Sequence, residues 1–474
     1  MSVASQSAAK VQNPYRSALV IVCVASILLF GGLLRVFGLS LVIPAFAVGA
    51  AGLLWLAFRH PIFYLGVILA LIPMDPLALI IARFFGPSFL MSDMVKAFDR
   101  ILFLPAIFVL WRRNGIKLRT PDWFLLACLG LAVVRFVFGG ELVPLIYDFD
   151  FMIAYVAGRV AVLTASQQET WARRAVWIVA ILSVLGMTEV FIIGEGPRTI
   201  LYLAAAEGAT EGGALNGTYH ASGVMGMRES ATMFGPLQFG ALCMVALVIW
   251  WVYRRDFLPV GMIGSGLILS LARSSWVGVA VAICLLGIIM RQKKPLLLYA
   301  SLALALFVAA IPVIGLGDFL SATIKGQEVS AEGHKQSLFE GMTYVLGHPF
   351  GSGPGSAGTF AFKNDSFIVW SENSYLTLAS EYGIPTVVCF VGFLVSVLAK
   401  IWSQRTRLSY AAVGILVAFS TVMMFLAAVH DVFSLAAWVW FPIGLAVRSA
   451  TESPSPLNGS IPNALALAGQ PAGG

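Results

Sequence analysis

The residues best suited to chemistry lie in the last third of the sequence, next to or within apolar stretches. Glu372, Asn373 and Tyr375 stand at the predicted start of a helix. They could cap that helix and complement its dipole, or they could bind a substrate. Glu381 follows nine residues later, about 13 Å further along the helix axis. An ionisable group that deep in an apolar helix suggests function, and an arginine at similar depth is its natural partner.

Two arginines are candidates for binding a phosphate group. Arg273 lies between two apolar runs, close to three serines, and Arg228 lies where a long polar segment returns to an apolar one. The planar guanidinium group suits phosphate oxygens and stays charged in proteins. The simpler alternative for each is that the side chain reaches towards phospholipid head groups.

Two further arginines, Arg135 and Arg159, fall within apolar runs. With Asp148 and Asp150 close by in the sequence, they could be substrate ligands or members of structural ion pairs. The structural alternative is favoured for both.

A turn rich in glycine and proline occupies residues 348–355, with His348 at its start and Gly353 and Gly355 near its end. Proline fixes φ and glycine permits positive φ, so this run predicts a rigid turn. Its backbone N–H groups could converge on an anion, or the turn could be purely structural. On chemistry alone the structural alternative is favoured.

The overall composition indicates a membrane protein. Of the 474 residues 59% are hydrophobic and only 11% are charged, whereas soluble domains carry about 25% charged residues. The net charge of +7 comes from short basic clusters between apolar runs, which is how membrane proteins are oriented. A soluble enzyme, a nucleic-acid-binding domain and a disulfide scaffold are therefore excluded. The histidines and the five cysteines lack metal-ligand spacing, so neither a metal nor another cofactor is expected.

Hydropathy predicts an all-α bundle of 12–14 membrane-spanning helices, because each span needs about 20 mainly apolar residues. Fourteen candidate spans can be counted, and the basic clusters between them put both termini in the cytoplasm. The candidate spans lie near residues 17–34, 36–58, 61–83, 95–111, 121–138, 145–164, 172–194, 233–253, 256–272, 274–291, 295–315, 373–399, 409–428 and 431–447.

Two polar segments between the predicted spans are too long for simple turns, and both are predicted to face the periplasm. The longer one includes an amphipathic stretch at residues 337–346, which could lie on the membrane surface. The predicted organisation is N-terminal membrane helices (1–194), a first long loop (195–232), central membrane helices (233–315), a large loop (316–372), C-terminal membrane helices (373–447) and a disordered cytoplasmic tail (448–474).

Three segments together resemble the bacterial O-antigen ligase and polysaccharide polymerase superfamily. They are residues 269–286, with Ala-Arg-Ser-Ser-Trp at a helix start, residues 339–360, with His-Pro-Phe-Gly-Ser-Gly-Pro-Gly, and residues 372–385, with Glu-Asn-Ser-Tyr-Leu. A fourth, weaker match is the glycine-rich segment at residues 223–229, where the chain re-enters an apolar stretch. The resemblance covers roughly residues 215–447.

The resemblance implies a metal-independent glycosyltransferase of the GT-C type in the bacterial inner membrane. Its donor would be an oligosaccharide on undecaprenyl pyrophosphate, with Arg228 and Arg273 holding the pyrophosphate and Glu372 acting on the acceptor hydroxyl. Implied partners are membrane lipid, a flippase and chain-length regulator proteins, with no nucleic acid. The implied substrate-binding residues are Asn373, Tyr375, Glu381, His348, Gly353, Gly355 and His220.

Two departures from the ligase pattern favour a polymerase. Glu372 occupies the position before Asn373 where ligases carry histidine, and His220 replaces the arginine of an R-x-x-G motif. The sequence thus predicts a polymerase of lipid-linked repeat units. A ligase that acts on lipid A core is the alternative within the family, and a flippase or a membrane scaffold are alternatives from other classes.

Overall fold

A computed structural model describes residues 39–74, 89–193, 231, 233, 235–253, 257–290, 329–357, 369, 371–426 and 433–452. These residues form fifteen α-helices and no strand, apart from an isolated bridge between Ala357 and Val369. The predicted spans at 17–34 and 295–315, much of both long loops and nearly all of the predicted tail lie outside the described residues.

The helices follow one another with short connections over most of the described chain. They are α1 (Leu39–Arg59), α2 (Pro61–Leu71), α3 (Phe89–Asn114), α4 (Thr120–Val137), α5 (Leu142–Phe149), α6 (Phe151–Val160), α7 (Ala165–Thr188), α8 (Pro236–Tyr253), α9 (Leu258–Leu269), α10 (Arg273–Ile289), α11 (Val329–Gly347), α12 (Ser374–Tyr382), α13 (Ile384–Trp402), α14 (Arg407–Met423) and α15 (Phe433–Glu452).

Five described helical segments are long and apolar enough to cross a membrane, and the protein is an all-α multi-pass membrane bundle. Two of them, in α8 and α15, are 83% and 94% buried inside the bundle, whereas the other three are 28–44% buried and turn apolar faces outwards. The central pair therefore packs on protein and the others present surface to lipid. The segments are Thr120–Val137, Ala165–Ile192, Pro236–Tyr253, Ile384–Trp402 and Phe433–Ala450.

The closest helix packing in the core is between α6 and α15, and glycines make it possible. A Cβ atom on Gly158 would lie 2.7 Å from the backbone nitrogen of Leu445, and one on Gly444 would lie 3.2 Å from that of Arg159. Small residues at such positions let two backbones approach, which is how helices pack in membranes. Trp440 of α15 then packs on the rings of Phe151 and Phe393 at 4.9 and 5.4 Å.

Two predicted spans are each broken into two helices. The span at 145–164 consists of α5 and α6, which meet at Asp150, and the span at 373–399 consists of α12 and α13, which meet at Gly383. Gly383 has φ +88°, a conformation that glycine adopts without strain. Hydropathy did not indicate these breaks, because apolar residues continue on both sides of each.

The buried charges pair across the bundle rather than with their neighbours in sequence. Arg159 makes two hydrogen bonds to Asp122, at 3.1 and 2.8 Å, and the Tyr155 hydroxyl donates to the same carboxylate at 3.0 Å. Arg100 donates to Asp150 at 2.7 Å. The structural role predicted for Arg159 is therefore correct, but its partner is on α4 and not among the aspartates suggested from the sequence.

One end of the bundle gathers basic side chains. Arg113 donates to the carbonyl oxygen of Phe58 at 3.0 Å, and Arg448 donates to that of Gly115 at 2.8 Å, so the ends of α1, α3 and α15 meet there. We call this the basic end. The described basic residues there are Arg59, Arg112, Arg113, Lys117, Arg119, Arg405, Arg407 and Arg448.

Candidate active site

The glycine-rich turn at residues 348–357 is docked on the C-terminal end of α12, away from the basic end. Its Ser352 and Gly353 N–H groups donate to the carbonyl oxygens of Ser380 and Glu381, both at 2.8 Å. The Ile384 N–H group donates back to the carbonyl oxygen of Pro349 at 2.8 Å. These three backbone bonds hold the turn against the break between α12 and α13.

The Glu381 side chain completes this attachment. The residue is only 3% exposed, and its Oε1 atom accepts the N–H groups of Gly355 and Ala357, both at 3.2 Å. Backbone donors thus solvate a buried carboxylate, which lowers the cost of keeping a charge there. The expected arginine partner of Glu381 stays a prediction, and these contacts assign the side chain a role in holding the turn.

The other side of the turn packs on the connection between α4 and α5. The Glu141 N–H group donates to the carbonyl oxygen of Pro354 at 3.0 Å, and Arg135 Nε donates to that of Gly351 at 3.1 Å. Gly353 has φ +108°, and a Cβ atom on it would overlap the carbonyl oxygen of Gly139. Only glycine fits this contact, and Arg135 anchors the turn; the rigidity of the turn stays a prediction.

His348 is exposed at the beginning of the turn. Its ring stacks on that of Tyr344 from α11, with 4.3 Å between ring centroids, and the Tyr344 hydroxyl hydrogen-bonds the Ser352 hydroxyl. The imidazole is therefore oriented by α11 and remains accessible to a substrate. Its predicted substrate-binding role is compatible with this position.

The predicted amphipathic stretch at residues 337–346 forms part of α11, and its placement on the membrane surface or as a cap of the bundle stays a prediction. Leu338 and Met342 are 42% and 49% exposed, whereas Val345 is buried. The inner face of α11 instead includes Ser337 and Gly341, which meet the start of α12. The polar serine is inside because its hydroxyl accepts a backbone N–H group.

That N–H group belongs to Glu372, which joins α11 to α12. Ser337 Oγ accepts it at 2.8 Å, and the Glu372 side chain is half-buried with one carboxylate oxygen, Oε2, fully shielded from solvent. A partly buried carboxylate of this kind can accept a proton in general acid–base catalysis.

Asn373 is the N-cap of α12, as the simpler interpretation predicted. Its Oδ1 atom accepts the N–H groups of Tyr375 and Leu376, both at 3.0 Å. Its Nδ2 atom donates to the carbonyl oxygen of Met424 at 3.1 Å, and the Tyr375 hydroxyl donates to that of Ser420 at 3.3 Å. Both side chains therefore tie the start of α12 to the C-terminal end of α14.

Arg273 is the first residue of α10 and follows a tight turn. Leu271 in that turn has φ +51°, and the Trp276 indole closes the turn by donating to the carbonyl oxygen of Leu267 at 2.8 Å. A Cβ atom on Gly240 of α8 would lie 2.5 Å from Ala272 Cβ, so α8 and the turn are in close contact. The half-buried Arg273 thus follows a turn that packs on α8 and is closed by a hydrogen bond to the end of α9.

The starts of α10 and α12 lie at the same end of the bundle. Helices α10 and α14 run antiparallel: a Cβ atom on Gly278 would lie 2.9 Å from the carbonyl oxygen of Ala418, and one on Gly414 would lie 2.7 Å from a methyl carbon of Leu286. Arg273 precedes Gly278 by five residues, about 7.5 Å along the axis, which brings it to the level of the end of α14. Asn373 reaches that same helix end, so the starts of α10 and α12 lie at the level of the C-terminal end of α14.

Two predicted site residues, Arg228 and His220, lie outside the described residues. Among the described ones, no three His, Cys, Asp or Glu side chains are grouped as metal ligands would be. The sequence interpretation missed Ser337, Tyr344 and the Gly139–Gly140 pair as supports of the site. The glycine pair at the end of an apolar run was the available signal for close backbone contact.

A family model matches the region of the chain that contains the candidate site. Residues 257–391 match the family model described as O-antigen ligase, and this segment contains Arg273, Glu372 and the glycine-rich turn. No curated protein matches the chain.

Proposed function

We propose that this chain, whose residues 257–391 match the family model described as O-antigen ligase, polymerises lipid-linked oligosaccharide repeat units. Members of this family are glycosyltransferase-like enzymes that act on lipid-linked glycans. The proposed donor and acceptor are repeat units on undecaprenyl pyrophosphate, joined at the periplasmic face of the inner membrane. Flippase and chain-length regulator proteins are the proposed partners.

The observation that carries the proposal is the shared location of a cation and a carboxylate within the family segment. Arg273 begins α10 and Glu372 lies two residues before α12, and the starts of both helices lie at the level of the C-terminal end of α14. A guanidinium group there can neutralise a pyrophosphate leaving group, and a half-buried carboxylate can take a proton from an acceptor hydroxyl.

The proposed reaction is a single displacement at the anomeric carbon of the donor sugar. Glu372 takes the proton of the acceptor hydroxyl, whose oxygen forms the new glycosidic bond. The bond between the anomeric carbon and the pyrophosphate oxygen breaks, and undecaprenyl pyrophosphate leaves with the electron pair. Arg273, together with Arg228, stabilises the charge that develops on it, and the proton on Glu372 then passes to solvent or to the leaving group.

The orientation of the chain follows from its charge distribution. The described basic end carries the clusters that the positive-inside rule assigns to the cytoplasm. The opposite end, with the glycine-rich turn and α11, would then face the periplasm, where lipid-linked repeat units are presented. Both termini are accordingly proposed to be cytoplasmic.

Ligase activity is the second candidate, because the matching family model is described as O-antigen ligase. The glutamate at position 372, in place of the histidine expected for a ligase, favours polymerisation. Reconstitution with a lipid-linked repeat unit separates the candidates. A ladder of products means polymerase, transfer to lipid A core without a ladder means ligase, and movement across the bilayer without transfer means flippase.

The role of Glu372 is tested by Glu372→Gln, which keeps the shape of the side chain and removes the base. We expect loss of at least about a hundredfold in transfer rate, within the usual contribution of a general base, with unchanged membrane abundance. Glu340→Gln is the matched control, since Glu340 is exposed on α11. A Glu372→Gln variant as active as this control would rule out the carboxylate as the base.

A further inference from the structure

A cavity of about 840 Å³ lies at the basic end, at the opposite end of the bundle from the candidate active site. Its walls come from the α6–α7 connection, the end of α8, the start of α14 and the end of α15. This volume is within the range of ligand pockets in proteins. The proposed glycan transfer makes no use of it.

Two arginines from different helices line this cavity. Arg448 is 8% exposed and is held by the carbonyl oxygens of Asn114 and Gly115, at 3.1 and 2.8 Å. The Arg407 side chain is 61% exposed, and its Nη1 atom lies 3.3 Å from Oε1 of Glu169. Among the described lining residues Glu169 is the single acidic one, so the two guanidinium groups leave an excess of positive charge there.

The N-terminal ends of α7 and α14 add to the positive charge around the cavity, because the N-terminus of a helix carries a partial positive charge. Ala165 and Ser166 of α7 and Arg407 and Leu408 of α14 line the cavity, and the first N–H groups of a helix have no acceptor within it. Thr164 and Thr406 already satisfy the third N–H groups, those of Gln167 and Ser409. The first two N–H groups of α7 and of α14 point towards the basic end, where a bound anion would complement them.

The rest of the lining includes apolar side chains beside the polar ones. Val162, Leu163 and Leu408 are part of the wall, and Val162 is 46% exposed. The cavity lies where helices end, the level of the membrane interface in a multi-pass bundle. Positive charge next to apolar surface at that level matches a lipid with an anionic head group rather than a fully hydrated ion.

We propose that this cavity binds the phosphate group of an anionic phospholipid from the leaflet at the basic end. Arg407 contacts the phosphate oxygens, the helix starts supply N–H donors, and Val162 and Leu163 contact the glycerol and the first carbons of the acyl chains. Bound lipid joins α7, α14 and α15, so it stabilises the folded bundle.

The experiment measures thermal unfolding of the full chain in a neutral detergent. Phosphatidylglycerol, phosphatidylcholine or inorganic phosphate is added to the wild type, to Arg407→Gln and to Arg405→Gln. Arg405 is an exposed neighbour on the same connection that does not line the cavity, so its substitution makes the same charge change. Native mass spectrometry counts the lipids retained by each protein.

We expect phosphatidylglycerol to raise the unfolding temperature of the wild type and of Arg405→Gln, with one lipid retained. Arg407→Gln should bind it about tenfold more weakly, a loss of about 1.4 kcal/mol, and should show a smaller shift. Equal shifts in the two variants would overturn the proposal, as would an equal shift with phosphatidylcholine. A full shift with inorganic phosphate alone would overturn the assignment to lipid. Glycan transfer is measured separately, so loss of the proposed function leaves this test intact.

Discussion

Glu381 shows at the scale of one residue how a buried charge can be structural. Its depth in an apolar helix marked it as a candidate for function, and the described contacts are two backbone N–H groups of the glycine-rich turn. A carboxylate that accepts backbone donors forms charge-assisted hydrogen bonds, which are stronger than neutral ones and can hold a loop in place. The same residue can therefore be essential for the site without contacting a substrate.

Replacing Glu381 by Ala should loosen the glycine-rich turn. The change leaves the N–H groups of Gly355 and Ala357 without this acceptor, at a cost of about 1–3 kcal/mol. We expect a lower unfolding temperature and faster proteolysis within residues 348–357. Glu340→Ala, on the exposed face of α11, should change neither quantity. Equal proteolysis of the two variants would show that Glu381 does not hold the turn.

Asp122 is the second residue whose removal should have a large effect. It accepts three side-chain hydrogen bonds from Arg159 and Tyr155, and Arg159 is 1% exposed. Asp122→Asn leaves a buried guanidinium group without its counter-charge, a change that typically costs about 3–5 kcal/mol. Thermal unfolding in detergent measures the effect.

The matched control for Asp122→Asn is Glu169→Gln, which removes the carboxylate of the more exposed pair with Arg407. Such surface pairs contribute about 0–1 kcal/mol. We therefore expect a small change for Glu169→Gln and a much larger one for Asp122→Asn. Similar unfolding temperatures for both variants would mean that the buried pair is not a major contact of the bundle.

At the scale of the element, the two broken spans position the candidate site. The break at Gly383 creates a helix end within the bundle, and the glycine-rich turn binds to that end through backbone hydrogen bonds. The connection between α4 and α5 supports the other side of the turn. In an unbroken helix the Ile384 N–H group would bond the carbonyl oxygen of Ser380, so that oxygen could not accept the N–H group of Ser352 from the turn.

Gly353→Ala should displace the turn from its supports. The added Cβ atom would overlap the carbonyl oxygen of Gly139, and φ +108° is unfavourable for alanine. We expect reduced glycan transfer and more rapid proteolysis of the turn, with normal membrane insertion.

Gly347→Ala is the control for that change, because a Cβ atom on Gly347 would meet open space. It changes the same residue type a few positions earlier and should keep wild-type transfer and protease resistance. If Gly353→Ala behaved like this control, close contact between the turn and Gly139 would not be needed for activity.

At the scale of the whole molecule, the two ends of the bundle differ in chemistry. One end carries the basic clusters and the cavity lined by Arg407 and Arg448, and the other carries the glycine-rich turn, Glu372 and Arg273. The proposed glycan transfer and the proposed lipid site therefore lie at opposite ends of the bundle.

Cysteine labelling in cells should reveal which end faces the periplasm. In a cysteine-free background, Gly347→Cys should react with a membrane-impermeant maleimide in cells whose outer membrane has been opened. Ser403→Cys, exposed beside the basic end, should react only after the inner membrane is also opened. The reverse pattern would contradict the proposed orientation and, with it, transfer at the periplasmic face.

Much of the fold could be predicted from sequence because the signals are local. The runs at 121–138 and 233–253 appear as α4 and α8 within a few residues, since long apolar segments in a membrane must form helices. The capping role of Asn373 was also open to prediction, because an N-cap depends on its own helix. The number of spans stays a prediction.

The pairing of distant groups could not be predicted in the same way. Arg159 binds Asp122 although other aspartates are closer to it in the sequence. Arg135 binds the carbonyl oxygen of Gly351, which is 216 positions away. These choices depend on which helix ends become neighbours, and hydropathy does not encode that.

The sequence by itself therefore determined the class of fold, the family segment and the chemical identity of the candidate groups, because these depend on composition and on short motifs. Only the tertiary structure decided that Glu381 supports a turn, that two spans are broken, and that Arg273 and Glu372 lie at one end of the bundle. The physical reason is that apolar length and helix caps act within a helix, whereas the position of a charge is set by the packing between helices.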